Sequence, residues 1–336
     1  MARSPRGRPS RAAIHDRLAL EIQELRSRYG GLPTPEEAET IWRDIWHFEA
    51  HSSTALEGNT LVLREVAILL SQGRAVGNKE LKDYLEVQGY ATAAQWVYSQ
   101  SLYSGDWTTD QFLTVTEVRQ VHQQALTPGW EVAPHPQAFA AEPPGNFRRH
   151  DIQPFGGGMS PPPFTEVPSQ VSDWVASVNA LYSDERPIAI ALAEHHAAFE
   201  RIHPFLDGNG RAGRLLLNLI LVRQGYPPAI IQKRERPRYL ETLSRADRGD
   251  PEPLGEVIAR SVLDNLTRFV LPALAGPDQL VPLETLAAPG RSALALRAAA
   301  ERGRLRAARG TDGGWRTSRL WLDNYIETLH RRRRRP

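Results

Sequence analysis

The sequence predicts a mainly α-helical protein with one β-hairpin in a long loop and a small helix-and-hairpin unit near its C-terminus. Two observations carry this expectation. Apolar residues recur at helical spacing, as in Leu18, Ile22 and Leu25 or Leu215, Leu216, Leu219 and Ile220. Strand signal is scarce throughout, and Pro and Gly concentrate in one long stretch and a few short ones.

In order, residues 1–13 are rich in Arg, Pro and Ser and are expected to be disordered. Helical periodicity starts at Ile14 and stops at Gly30-Gly31. Thr34 can cap the next helix, with Pro35 at its first position and Glu36 and Glu37 in its first turn; the pattern then runs to a Gly58-Asn59 stop. Further helices are expected at 63–72, 79–101 and 109–125. The stretch from Thr127 to Pro168 reads as a long excursion with a hairpin at Phe147–Phe155. Helices return at 168–182 and 187–202, after Gly210 as far as Gly225, and at 236–249 and 252–272, before a boundary at Gly276-Pro277-Asp278. These breaks divide the chain into helical regions at 14–126 and 127–275 and a unit at 280–330.

Composition sets the chemical limits. The chain has 336 residues, 41% hydrophobic and 24% charged, which suits a soluble protein of two or three domains. It has no Cys, which excludes disulfides, thiolate nucleophiles and cysteine–zinc sites. The basic start (Arg3, Arg6, Arg8, Arg11) is not followed by an apolar run of signal type, and the run from Leu215 to Val222 is too short for a bilayer. A cytoplasmic chain without a membrane partner is expected. Net charge is only +2, yet thirteen Arg face four acidic residues from Pro289 onward, ending in an Arg tail at 331–336.

The chemistry concentrates in His203-Pro204-Phe205-Leu206-Asp207-Gly208-Asn209-Gly210-Arg211-Ala212-Gly213-Arg214. This is a helix end, a tight turn and a new helix start. Gly208, Asn209 and Gly210 tolerate positive φ, so their amides can converge on an anion, helped by the next helix's N-terminus. Arg211 and Arg214 share a helix face and can clamp phosphate oxygens. His203 can take a proton from a hydroxyl, and Asp207 is a hard oxygen ligand suited to Mg²⁺. A Gly-Asn-Gly turn alone is usually only structural. Base, acid, amides and two guanidinium groups within twelve residues point to phosphate chemistry.

This window resembles the Fic-family signature, His-Pro-Phe-x-Asp/Glu-Gly-Asn-Gly-Arg-x-x-Arg, at every fixed position, and the similarity extends over about 35–270. The resemblance implies a Fic-type helical core and transfer of AMP from ATP to a Ser, Thr or Tyr hydroxyl of a target protein. It makes His203 the general base, Asp207 the Mg²⁺ ligand, Gly208, Asn209 and Gly210 the phosphate cradle, Arg211 and Arg214 phosphate clamps, and Phe205 an apolar anchor. Residues 144–164 would be the family's flap, a β-hairpin that holds the target by strand addition, with Asp151 where an apolar residue is commoner. Tyr239 would stack on the adenine.

Ser53-x-x-x-Glu57-Gly58 resembles the family's inhibitory motif, in the subclass that carries it ahead of the core. Ser53 and Glu57 share a helical face, and Glu57 paired with Arg214 would keep the γ-phosphate out. In the unit at 280–330, Leu283–Leu286, a Ser292-capped helix, a hairpin around Thr311–Gly314 and a Ser318-capped helix follow one another. That order is similar to the winged helix-turn-helix of the excisionase and MerR-type group. It implies DNA as a partner, with Arg309 and Arg316 on phosphates. The same residues admit AMP removal, another nucleotide donor, or a DNA-binding regulator whose core senses nucleotide. A homodimer is also compatible with them.

Overall fold

The computed structural model of the chain describes residues 9–29, 31–35, 38–100, 112–140, 142–153, 159–274, 281–288, 291–309 and 313–333. The chain divides into two compact units, Leu32–Val262 and a second made of Met1–Gly31 with Leu263–Pro336. The expected boundaries at 126/127 and 275/280 follow shifts in composition, whereas this division follows packing and groups the N-terminal helix with the C-terminal residues.

Unit 32–262 is helical. It holds α2 (Glu39–Leu56), α3 (Leu63–Gln72), α4 (Leu81–Ser99), α5 (Val115–Val132), α6 (Val167–Asn179), α7 (Ile188–Ile202), α8 (Asn209–Arg223) and α9 (Arg236–Asp247), and α10 (Glu252–Asn265) begins in it. Helix α8 is the centre: every residue from Arg211 to Arg223 is buried. A helix apolar all round must lie inside others, and here α2, α4, α5 and α7 pack around it.

Three expectations are corrected locally. Helix α2 starts at Glu39 with Ala38 at its cap, four residues past the Pro33-Thr34-Pro35 turn. Pro35 biases Thr34 away from helical angles, Thr34 accepts the Ala38 N–H at 3.1 Å, and the Trp42 indole donates to Pro33 O at 2.9 Å. Glu36 and Glu37 lie outside the described residues. Helix α5 continues through Pro128 to Val132, because its packing on α4 outweighs the lost amide: Gly89 leaves room for Ala125 O and Pro128. No strand forms over 147–153; Pro154 and Phe155, the rest of the expected hairpin, lie outside the described residues. There the chain is tied instead by Arg148, which is 2% exposed, and by Asp151, whose Oδ1 accepts the Phe164 N–H at 2.7 Å.

In the other unit, α1 (Arg11–Tyr29) starts three residues earlier than Ile14, with Ser10 Oγ accepting the Ala13 N–H at 3.2 Å. Residues 1–8 and 334–336 lie outside the described residues. After α11 (Leu271–Leu274) come β1 (Val281–Pro282), a 3₁₀ turn at Leu283–Leu286, α12 (Ala293–Glu301), β2 (Ala308–Arg309), β3 (Trp315–Thr317) and α13 (Arg319–Arg333). The three strands are antiparallel in the order β1-β3-β2, with Val281 opposite Thr317 and Ala308 opposite Arg316. Ser292 caps α12 and Ser318 caps α13, as expected. Leu283, Leu296, Leu305 and Leu322 form the small core, and Arg306 pairs with Glu21 and Glu24 while lying over Trp321.

Candidate active site

Helix α7 ends at His203, which takes φ 48° and ψ 60°. Among the described residues it is the one non-glycine with positive φ. Such backbone costs energy and persists where its surroundings impose it. Here the His203 N–H closes on Phe199 O at 3.1 Å, and Arg148 Nε donates to His203 O at 3.0 Å. The Asn209 side chain then staples the turn: Oδ1 accepts the Phe205 N–H at 2.9 Å and Nδ2 donates to Phe205 O at 2.7 Å. Phe205 is fully buried and stacks on His122 at 3.7 Å, so it does anchor the loop.

Gly208 has φ 78° and caps α8. Its amide donates to Asp207 Oδ1 at 2.6 Å rather than facing outward. The first closed intrahelical bond is Ala212 N–H to Gly208 O, so the amides of Asn209, Gly210 and Arg211 stay outside the helical ladder. These three, at the positive end of α8, are the amides placed to meet an anion, whereas the sequence reading named Gly208, Asn209 and Gly210.

His203 lines the cavity, and its Nδ1 lies 3.3 Å from Glu200 O and donates to it, which makes Nε2 the unprotonated nitrogen of the neutral ring. Desolvation by burial lowers the ring to about 4, and the Glu200 carbonyl opposes this only in part. The ring is neutral at physiological pH and able to accept a proton.

Both arginines are held by acids. Arg211 lies 3.2 Å from Asp207 Oδ2 and 3.2 Å from Glu86 Oε1. Arg214 donates from Nε to Ser53 Oγ at 2.7 Å, from NH2 to Ser53 O at 3.1 Å, and from NH2 to Glu57 Oε1 at 2.7 Å. Desolvation pushes the Glu57 carboxyl up, but the charge and hydrogen bond of Arg214, with the charge of Arg211, hold it below the ordinary value. Gly58, at φ 101°, ends α2 immediately after Glu57 and so fixes where that side chain leaves the helix. A Cβ on Gly210 would stand 2.7 Å from Glu57 Oε1, so glycine there is what lets the carboxylate reach the α8 N-terminus.

The adjoining cavity has a volume of about 380 Å³ and is walled by Leu56, Glu57, Met159, Glu200, His203, Arg236, Tyr239 and Leu243 among others. Tyr239 is 3% exposed, and its hydroxyl bonds to His196 Nε2 at 2.7 Å. Arg236 Nε donates to Leu56 O at 2.9 Å and ties α9 to the end of α2. Burial pushes Glu200 up to about 7, and its Oε1 has no hydrogen-bond partner among the described residues.

Among the described residues no group of three or more His, Cys, Asp or Glu is placed to hold a metal ion. Mg²⁺ needs no such cage, since one carboxylate plus substrate phosphates is its usual set. Asp207, whose carboxylate is 41% exposed and held below the ordinary value by Arg211 and the Gly208 amide against the cost of burial, fits that role.

His122, Arg148, Glu200 and Glu86 escaped the sequence reading. His122 and Arg148 lie outside the signature, Glu86 answers Arg211 from another helix, and Glu200 differs in no local pattern from a surface residue of α7.

The sequence model of the Fic/DOC family matches residues 112–221. The chain is 30% identical over 254 residues to the protein adenylyltransferase Fic of Aedes aegypti, covering 74% of this chain and 46% of the relative. It is 27% identical over 265 residues to fic-1 of Caenorhabditis elegans, covering 78% and 48%. The chain thus spans about half the length of these curated relatives. Among solved structures, a Fic-domain-containing signaling protein from Bacteroides thetaiotaomicron superposes with a TM-score of 0.60 at 25% identity, over 78% of this chain and 98% of that one. Fic-1 from C. elegans superposes with a TM-score of 0.61 at 25% identity, over 79% and 74%.

Proposed function

The chain belongs to the Fic/DOC family, and on that premise we propose that it transfers AMP from ATP to a Ser, Thr or Tyr hydroxyl of a target protein. The observation that carries this reading is a neutral His203 at the mouth of the α8 N-terminus, beside a cavity of nucleotide size. The target oxygen attacks the α-phosphorus in line and its proton passes to His203 Nε2. The bond from the α-phosphorus to the bridging oxygen breaks, and pyrophosphate leaves. The amides of Asn209, Gly210 and Arg211 stabilise phosphate charge, and the Arg211 and Arg214 side chains clamp the β- and γ-phosphates. Asp207 would hold Mg²⁺, which when bound neutralises phosphate oxygens. Tyr239 and its neighbours would wall the adenine, and residues 144–164 would receive the target.

The Glu57–Arg214 pair supports autoinhibition, because a guanidinium occupied by Ser53 and Glu57 cannot also hold the γ-phosphate. Glu57 also lines the cavity with His203, where a carboxylate can orient water for AMP removal. The test is incubation of Glu57→Gly protein with α-labelled ATP, Mg²⁺ and lysate, beside Glu57→Gly/His203→Ala. A labelled band that requires His203 is the expected result; labelling indifferent to His203 would refute the mechanism.

For residues 281–333 the strand order β1-β3-β2, with α12 ahead of the β2–β3 hairpin, favours a winged-helix reading with DNA as partner. Exposed Arg302, Arg304 and Arg309 would meet phosphates. Salt-sensitive DNA retention that is lost on changing these three to Ala is the expected outcome.

A further inference from the structure

His122, on α5, is 3% exposed and uses both ring nitrogens on different segments. Nε2 lies 2.8 Å from Asp207 O, in the signature loop. Nδ1 accepts the Gly145 N–H at 2.8 Å, at the start of the 144–164 segment. A carbonyl can only accept and an amide can only donate, so the arrangement defines the tautomer with hydrogen on Nε2. The ring plane is fixed as well, stacked on Phe205 at 3.7 Å and 9°.

The surroundings reinforce both attachments. One turn earlier on α5, Arg119 donates from Nε to Gly145 O at 2.7 Å and from NH2 to Asn146 Oδ1 at 2.6 Å. One turn later, Leu126 lies so close that a Cβ on Gly208 would meet it at 2.8 Å. The same face of α5 thus seats the 145–146 turn and the 207–208 turn, and His122 is the side chain bonded to both.

We propose that His122 is a positioning residue that couples the target-receiving segment to the phosphate-binding turn: its Nε2–H sets the peptide following the Asp207 side chain, and its Nδ1 sets the Gly145 amide. This rests on the adenylyltransferase reading for what the two segments bind. The Gly208 amide that Asp207 Oδ1 accepts belongs to the very peptide whose carbonyl His122 holds. Loss of the Nε2 bond lets that peptide rotate and disturbs the α8 N-terminus, whereas loss of the Nδ1 bond frees the start of the flap.

The two bonds can be removed separately. The side-chain nitrogen of Gln overlays Nε2 of His, and the side-chain oxygen of Asn overlays Nδ1. In a Glu57→Gly parent, His122→Gln is expected to bind a non-hydrolysable ATP analogue with Mg²⁺ within about twofold of the parent by calorimetry, while the Gly145 amide exchanges hydrogen faster. His122→Asn is expected to do the reverse, keeping Gly145 protected and weakening the analogue about five- to tenfold. His122→Ala is expected to lose both. Circular dichroism and thermal melting at the assay temperature restrict the comparison to folded variants. Equal effects of Gln and Asn on both readouts, or none on either, would overturn the coupling role. The parent's own labelling reports separately on the adenylyltransferase reading: a parent without His203-dependent labelling sinks that reading, while the binding and exchange data still decide the role of His122.

Discussion

The Glu57 carboxylate meets the Arg214 guanidinium at 2.7 Å across 157 residues of chain, and Ser53, one turn earlier on α2, holds the Nε side of the same guanidinium. Arg214 is 5% exposed at its side chain and Glu57 is 41% exposed. The buried partner is therefore preset, and the exposed one can leave. In Arg214→Ala, Glu57 would lose the hydrogen bond from the guanidinium; in Glu57→Gly, Arg214 keeps Ser53 and stays in place.

Ser53→Ala removes one of these anchors and leaves Glu57 intact. Its expected transfer rate lies between wild type and Glu57→Gly, about tenfold or more above wild type, since one hydrogen bond to a charged group is worth about 1.5–3 kcal/mol. Initial rates of α-labelled AMP incorporation at matched ATP decide the ranking.

The pH profile of transfer follows from His203. On the proposed mechanism its neutral form is the base, and burial lowers the ring to about 4. The rate in Glu57→Gly protein should stay level as pH falls through 6.5 and decline only toward 4. Burial holds Glu200 near 7 and it titrates in the same range, so the profile should be repeated with Glu200→Gln. A rate that halves near 6.5 in both proteins would count against a buried neutral base.

Glu49 makes stability depend on pH. Burial raises its carboxyl to about 7 against the hydrogen bonds from Tyr90 and Asn218, each 2.8 Å, and the charge of Arg214. The folded state thus binds this proton more tightly than the unfolded chain. That contribution is complete below pH 4.5 and is lost as pH rises through 7. Glu49→Gln cannot ionise, so its stability relative to wild type should increase between pH 5 and pH 8.5, by up to about 3 kcal/mol. Denaturant unfolding at the two pH values measures it.

Arg148 donates to His203 O at 3.0 Å, His150 O at 3.1 Å and Pro162 O at 2.5 Å. Lys carries a single charged nitrogen and cannot reach three carbonyls so arranged. Arg148→Lys should cost about 2–3 kcal/mol and lower Tm by roughly 5–10 °C. Transfer should fall with it, because the strained His203 backbone loses its clamp. Calorimetric melting and labelling of the same preparation check both.

The sequence by itself determined what depends on neighbours three or four residues apart. Helix periods, the Ser292 and Ser318 caps, the Gly58 stop and the order of groups from His203 to Arg214 are of this kind, and the last of these points to phosphate chemistry. It misplaced elements where tertiary packing overrides local preference, as where α5 runs through Pro128 against Gly89. The Glu57–Arg214 pairing was legible only through a resemblance. The His122 bridge spans 85 residues from ring to Asp207 carbonyl, and the acid that answers Arg211 comes from another helix, so neither had any local signature. Only the tertiary structure decided those, because a charge or a ring nitrogen acquires its partner when packed helices remove water and leave one donor or acceptor within reach.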